Sequence, residues 1–152
     1  MLINAGEAIS APCARRFLQM LAPAGIRATA IWPMWGMAET SSGVVYSKGF
    51  SATQTSDNDS FVEVGWPIAG IRLRIVDGNN LVVPEGIIGR LHVHGAMVTA
   101  GYYENPEANA AVFTADGWFD TGDLGFIRDG RLTLTGRAKD VIIINGANYS
   151  SH

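Results

Sequence analysis

The chain has 152 residues, 47% of them hydrophobic, and a mean hydropathy of +0.14, enough apolar side chain for one ordinary globular core and too much for a disordered segment. Eleven lysines and arginines against fourteen aspartates and glutamates leave a net charge of −3, and with no basic run to follow a phosphate backbone, nucleic acid is excluded as an expected partner. One cysteine, Cys13, excludes an internal disulfide, fits a reducing compartment and is expected as a small buried residue of a helix. The start carries no basic segment followed by a long apolar run, and no apolar stretch is long enough to span a bilayer, so a soluble, cytoplasmic protein without a membrane partner is expected.

Ser10 is placed to cap a helix with Pro12 in its first turn. Ala14, Phe17, Leu18 and Leu21 then fall at helical spacing before Pro23 and Gly25 end it. Residues 27–34 form an apolar run that reads as a buried strand, so residues 1–40 read as an α/β piece ending in a loop. After the polar stretch 51–60 the pattern changes. Ile71, Leu73 and Ile75 alternate with Arg72, Arg74 and Val76, then come the turn Asp77-Gly78-Asn79-Asn80 and a return strand beginning Leu81-Val82-Val83, a half-buried hairpin. Further strands are expected over 88–94, 98–102, 119–127 and 131–135, the last two joined by Arg128-Asp129-Gly130. Asn105-Pro106 opens a short helix through Phe113. Val141-Ile142-Ile143-Ile144 reads as one more strand and Asn145-Gly146-Ala147-Asn148 as a loop. Eighteen glycines, above the usual share of about 7%, lie scattered between short apolar runs and fit many turns. The expected fold class is therefore α/β with a large antiparallel β component: the end of an α/β sheet subdomain over residues 1–50, then a distorted, barrel-like β subdomain over 51–136.

Trp66, Trp118 and the phenylalanines are expected in the core. His92 and His94 share one face of a strand, but with no third ligand of matching spacing they read as surface or packing residues rather than a zinc site.

Three blocks carry chemistry. Met34-Trp35-Gly36-Met37-Ala38-Glu39-Thr40 puts a carboxylate in a glycine-containing loop after a strand, which could ligate Mg²⁺ beside a stacking indole or be a packed tryptophan and a solvated glutamate. Trp118-Phe119-Asp120-Thr121-Gly122-Asp123 offers an acceptor-only carboxylate that could take both hydroxyls of a ribose, or a turn aspartate. Gly136-Arg137-Ala138-Lys139-Asp140 offers an arginine that could meet a ligand or be a solvated charge.

In this order and spacing, and together with residues 95–103, Asn105-Pro106-Glu107, Asp116-Gly117 and Asn145-Gly146-Ala147-Asn148, the blocks closely resemble the adenylate-forming superfamily. That superfamily comprises acyl-CoA synthetases, nonribosomal peptide synthetase adenylation domains, fatty acyl-AMP ligases and luciferases. The resemblance implies that Gly6, Glu7 and Ala8 line the adenine and acyl pocket. Trp35 takes the place of a tyrosine that stacks on adenine, with Gly36, Met37 and Ala38 continuing the nucleotide-binding loop, and Glu39 is the Mg²⁺ ligand. Asp123 holds the ribose hydroxyls, Arg137 reaches the ribose and phosphate side, and Lys139 is the hinge of a small C-terminal lid that residues 137–152 would begin. Two departures stand out. Ala38 replaces the threonine of the usual Tyr-Gly-x-Thr-Glu, and Pro33 stands where peptide-synthetase members often carry asparagine.

The function so implied is ATP- and Mg²⁺-dependent activation of a carboxylic acid to an acyl- or aminoacyl-adenylate. The acyl group then passes to a phosphopantetheine thiol, of an acyl or peptidyl carrier protein or of CoA. The likeness points most to adenylation domains of mixed polyketide–peptide assembly lines of natural-product biosynthesis, with fatty acyl-AMP ligases next. No Ser/Thr/Gly-rich phosphate loop ending in lysine and no lid lysine is present. A fragment of a longer ligase is therefore expected, completed by the remaining parts of the adenylation domain and inactive alone; the alternative is an isolated subdomain acting as a binding module.

Overall fold

The structure is a computed structural model describing residues 1–48, 50, 53 and 55–138, and the backbone of 141–144 and 147–150. Strand β1 (Leu2–Asn4) leads into helix α1 (Ala11–Leu21), then β2 (Ile31–Gly36), β3 (Gly43–Tyr46), β4 (Glu63–Pro67), β5 (Ile71–Val76) and β6 (Gly89–Gly95). Helix α2 (Pro106–Val112) follows, then β7 (Phe119–Arg128), β8 (Arg131–Arg137), β9 (Val141–Ile144) and β10 (Ala147–Ser150). The first eight strands form one sheet in the order β1-β2-β3-β4-β8-β7-β6-β5, with β1 parallel to β2 and every other neighbour antiparallel. The expected barrel is thus an open sheet. β4 pairs with β3 on one side and β8 on the other, so β5 is left as an edge. β9 and β10 form a separate antiparallel pair.

Two apolar clusters hold this arrangement. Ala11, Ala14 and Leu18 of α1 meet Ala30, Ile31 and Phe50, while Trp35, Val44, Val45, Val64, Leu91, Val93, Phe119 and Leu132 pack across the sheet. Only one stripe of α1 is covered, so Phe17 and Cys13 are exposed, contrary to the buried cysteine expected. Ser10 begins α1 through its carbonyl, which accepts from Ala14 N at 2.9 Å; its side chain makes no cap. Gly25, left-handed at φ 81, closes the turn after the helix. By contrast, Asn105 Oδ1 accepts from Ala108 N at 3.1 Å and caps α2 as its sequence implies.

Several strand limits differ from expectation. β2 begins at Ile31, because Ala30 N donates to Arg27 O and turns residues 27–30. Leu81 and Val82 are exposed and make a single bridge, Val76 to Val82; β5 instead pairs along its whole length with β6, from Ile71–Gly95 to Val76–Arg90. Residues 98–102 are a loop, since Thr99 N donates to the Glu39 carbonyl and Gly101 N to its neighbour Thr99 Oγ1. Ala147 and Asn148, expected in a loop, begin β10, while Asn145 and Gly146 lie outside the described residues.

Trp66, expected in the core, is 50% exposed on the outer face of β4, and Phe61 is likewise exposed. No helix among the described residues is long and apolar enough to cross a membrane.

Candidate functional site

A cleft of about 510 Å³ opens where both apolar clusters meet the polar blocks. The loop after β1 brings Gly6, Glu7 and Ala8 to it, the end of β2 brings Trp35, Gly36 and Met37, and the facing strands β7 and β8 bring Asp123 and Arg137. Eight of the residues singled out in the sequence therefore share one cavity. Sequence reasoning missed most of its apolar wall: Ile9, Phe61, Val62, Val64 and Leu134. The signal for Phe61 and Val62 is the return of apolar residues directly after the polar stretch 51–60.

Asp123 is the polar centre. β7 and β8 set it opposite Arg137, and Arg137 Nε donates to its Oδ1 at 3.0 Å. The other oxygen, Oδ2, accepts from Trp35 Nε1 at 2.8 Å, deep enough that Trp35 is 6% and Asp123 8% exposed. Below the carboxylate the chain is braced: Asp123 N donates to Thr121 Oγ1, whose hydroxyl donates to the Leu91 carbonyl. Gly122 between them has φ 74, a left-handed conformation that costs a glycine little. A carboxylate oxygen carries two lone pairs, so each oxygen of Asp123 keeps acceptor capacity toward the cleft.

Gly36 of the Trp35-Gly36 block lines the cleft and has a packing task besides. A Cβ at Gly36 would collide with the Ser42 carbonyl and Gly43 Cα, because β3 crosses close there at the register shift between Trp35 and Gly36. Gly36 lets strand meet strand.

Glu39 and Ala38 lie apart from the cleft lining, on a single 3-10 turn, Ala38–Thr40, with Ala38 exposed. Tyr102 OH donates to Glu39 Oε1 at 2.8 Å, and the Glu39 carboxylate holds the Tyr102 phenol above its ordinary pKa by taking that proton in a hydrogen bond. The second carboxylate oxygen could serve a divalent cation. Among the described residues no three His, Cys, Asp or Glu converge, so the donor set fits an ion such as Mg²⁺ that takes one carboxylate and fills its shell with phosphate and water oxygens. Lys139, expected as the hinge, lies outside the described residues.

Behind β7, on the face away from Asp123, a second polar cluster forms. Arg74 lies 4.5 Å over the Trp118 ring, pairs with Asp116 at 2.6 Å and donates to His92 Nδ1 at 3.3 Å. His92, fully buried, turns Nε2 toward Asp120 Oδ2 at 3.6 Å, and Arg90 pairs with the same oxygen at 2.8 Å. The Asp116 carboxyl is held well below the usual range by its Arg74 and Thr114 hydrogen bonds. Burial pushes Asp120 up, but His92, the Gly122 N–H and Arg90 together outweigh it and lower it. His94 Nδ1 lies 3.0 Å from an Arg72 guanidinium nitrogen, so His92 and His94 both pack against arginines.

The model of the family described as "AMP-binding enzyme" matches residues 1–103. The chain belongs to that family, within the adenylate-forming superfamily. Nonribosomal peptide synthetase pngA of Aspergillus terreus is 42% identical over 99% of the chain, and atromentin synthetase invA5 of Paxillus involutus 38% identical over 96%. In each case the chain spans 16% of the relative's length. Among solved structures, McyG A-PCP complexed with phenylalanyl-adenylate is 47% identical with TM-score 0.91, covering 99% of this chain and 27% of that one. The adenylation domain of a keto acid-selecting nonribosomal peptide synthetase module bound to keto acyl adenylate is 43% identical with TM-score 0.87, covering 97% and 31%.

Proposed function

We propose that this chain supplies the nucleotide-facing part of an adenylation domain, in an enzyme that activates a carboxylic acid with ATP and passes the acyl group to a carrier-protein thiol. The observation that carries this reading is the convergence of Gly6, Glu7, Ala8, Trp35, Gly36, Met37, Asp123 and Arg137 on one cleft from four separate parts of the chain. In it the cleft takes the adenosine, Asp123 accepts the ribose hydroxyls, and Arg137 reaches over the ribose toward the phosphates. Glu39, steadied by Tyr102, gives one carboxylate oxygen to Mg²⁺, which when bound neutralises phosphate charge. The residues present orient the nucleotide and do not form a covalent bond to it, so their contribution is positioning and electrostatic. The carboxylate of the acid attacks the α-phosphorus, pyrophosphate leaves, and the adenylate forms.

Residues 1–50 and 51–136 divide as an α/β and a β subdomain, and 137–152 open a lid hinged at Lys139. The carrier reading is supported by the pngA name and by the McyG A-PCP structure, at 47% identity; a fatty acyl-adenylate ligase structure is 27% identical with TM-score 0.84. The experiment is ATP–pyrophosphate exchange over a panel of amino, keto, aryl and fatty acids, by a polypeptide of the relatives' adenylation-domain length that carries this segment. Asp123→Ala should raise the ATP KM through a loss of about 1.5–3 kcal/mol, the value of a hydrogen bond to a charged group. No exchange with any acid, or an unchanged KM in the folded variant, would overturn it.

A further inference from the structure

We infer that Trp35 serves the nucleotide through Asp123: it is a positioning residue whose indole N–H holds the carboxylate in the one orientation that can accept both hydroxyls of a cis-diol. This rests on the nucleotide reading of the cleft and adds the means by which that cleft selects a ribose.

Trp35 is 6% exposed and packs among Val44, Val45 and Val64, which leaves only a strip of its ring toward the cavity. What it does offer is a directed donor, Nε1–H to Asp123 Oδ2 at 2.8 Å. The terminal torsion of an aspartate is broad and nearly two-fold, so a free carboxylate would swing. Here two donors fix its plane, one at each oxygen. They are unequal. The Arg137 side chain is 58% exposed, where water competes for it, whereas the indole N–H is buried with no alternative acceptor among its described hydrogen bonds. The orientation of the carboxylate therefore depends chiefly on Trp35. With one lone pair on each oxygen taken, one remains on each, and two adjacent hydroxyls of one ring can occupy the pair together. A ligand without those hydroxyls gains nothing from the arrangement.

The test is the ratio of affinities for AMP and 2′,3′-dideoxy-AMP, measured by ligand-observed NMR titration on the polypeptide of adenylation-domain length that carries this chain. The wild-type chain should prefer AMP. Trp35→Phe, which keeps an aromatic ring and removes the donor, should reduce that preference about tenfold, the loss of one charge-assisted hydrogen bond's directing effect, whereas Arg137→Ala should reduce it less. A Trp35→Phe chain that loses affinity for both nucleotides in equal measure and keeps the ratio would mean that the ring stacks on the base, and the inference falls while the nucleotide reading stands. A wild-type chain that binds both equally, or neither, overturns the nucleotide reading and the inference with it. A second measurement needs no variant. The ¹H–¹⁵N resonance of the Trp35 indole should shift with AMP and stay in place with 2′,3′-dideoxy-AMP; equal shifts with both overturn the inference.

Discussion

Removing the Asp123 side chain separates the two arms that meet on it. In Asp123→Ala the indole N–H of Trp35 loses a charged acceptor at 2.8 Å in a site where Trp35 is 6% exposed, so it stays buried and unsatisfied. A hydrogen bond to a charged group is worth about 1.5–3 kcal/mol, and an orphaned buried donor costs about 1–3 kcal/mol, two descriptions of one loss. The Arg137 arm adds little, because its side chain is 58% exposed and solvent-screened ion pairs contribute about 0–1 kcal/mol. The expected destabilisation is therefore about 2 kcal/mol for Asp123→Ala and under about 1 kcal/mol for Arg137→Ala. For a chain of this size each kcal/mol moves the melting temperature by about 2–4 °C, so calorimetry at pH 7 should find drops of about 4–8 °C and at most about 4 °C. Trp35→Phe combined with Asp123→Ala should cost less than the sum, by a coupling of about 1–2 kcal/mol, since the two share one bond. The reasoning fails if Arg137→Ala is as damaging as Asp123→Ala, or if the double variant is additive.

Three further outcomes follow from the same geometry. The Tyr102 phenol should titrate above 10 in a 295 nm absorbance titration, and Glu39→Gln should bring it back down; because the folded pKa is the higher one, the stability it contributes is complete below the unfolded value of about 10 and is lost as pH rises through the folded pKa. Gly36→Ala should lower the melting temperature by several degrees even with no nucleotide present, since the new Cβ meets the backbone of Ser42 and Gly43; an unchanged melting curve would mean that β3 can move aside. If Lys139 is the hinge of a lid, Lys139→Pro in the adenylation-domain-length enzyme should spare pyrophosphate exchange and slow acyl transfer sharply, as proline fixes φ near −65°; equal loss of both half-reactions with an unchanged melting temperature would reject the hinge.

What the sequence made legible is what short-range chemistry decides. Helix α1 is announced by Pro12 at its start and Gly25 beyond its end, and the β7–β8 hairpin by Asp129 and Gly130, which turn the chain at φ 50 and 71. The cleft residues were legible through a resemblance built on whole blocks, not through any one of them. The rest is set by distant partners. Residues 98–102 have the composition of a strand, but Thr99 N donates to the carbonyl of Glu39 and the segment becomes a loop. Trp66 and Cys13 were assigned to the core by residue type, whereas the side of the strand or helix on which each sits decides otherwise. The Trp35–Asp123 bond joins residues 88 positions apart, a distance over which no local pattern speaks.

The hairpin of β7 and β8 also makes the charge of the cleft a matter of counting. From the turn, Arg128 faces Arg131, and the pairs run in step to Gly125 and Leu134; then Leu124 faces Gly136 and Asp123 faces Arg137, so Thr135 is the one residue without an opposite number. Gly125 lets the strands close over that irregularity, since a Cβ there would run into the Thr133 carbonyl. Deleting Thr135 would remove the irregularity and leave Gly136 opposite Leu124 and Arg137 opposite Asp123, so the extra residue bends the hairpin without deciding the pairing at the cleft. An insertion between Arg131 and Leu134 that the hairpin does not absorb would, by contrast, slip β8 by one place, set Gly136 opposite Asp123 and turn Arg137 away, with every residue at the cleft unchanged in identity. A lineage diverging by small insertions within these strands could thus retune or silence the Asp123 end of this cleft without touching one side chain that lines it.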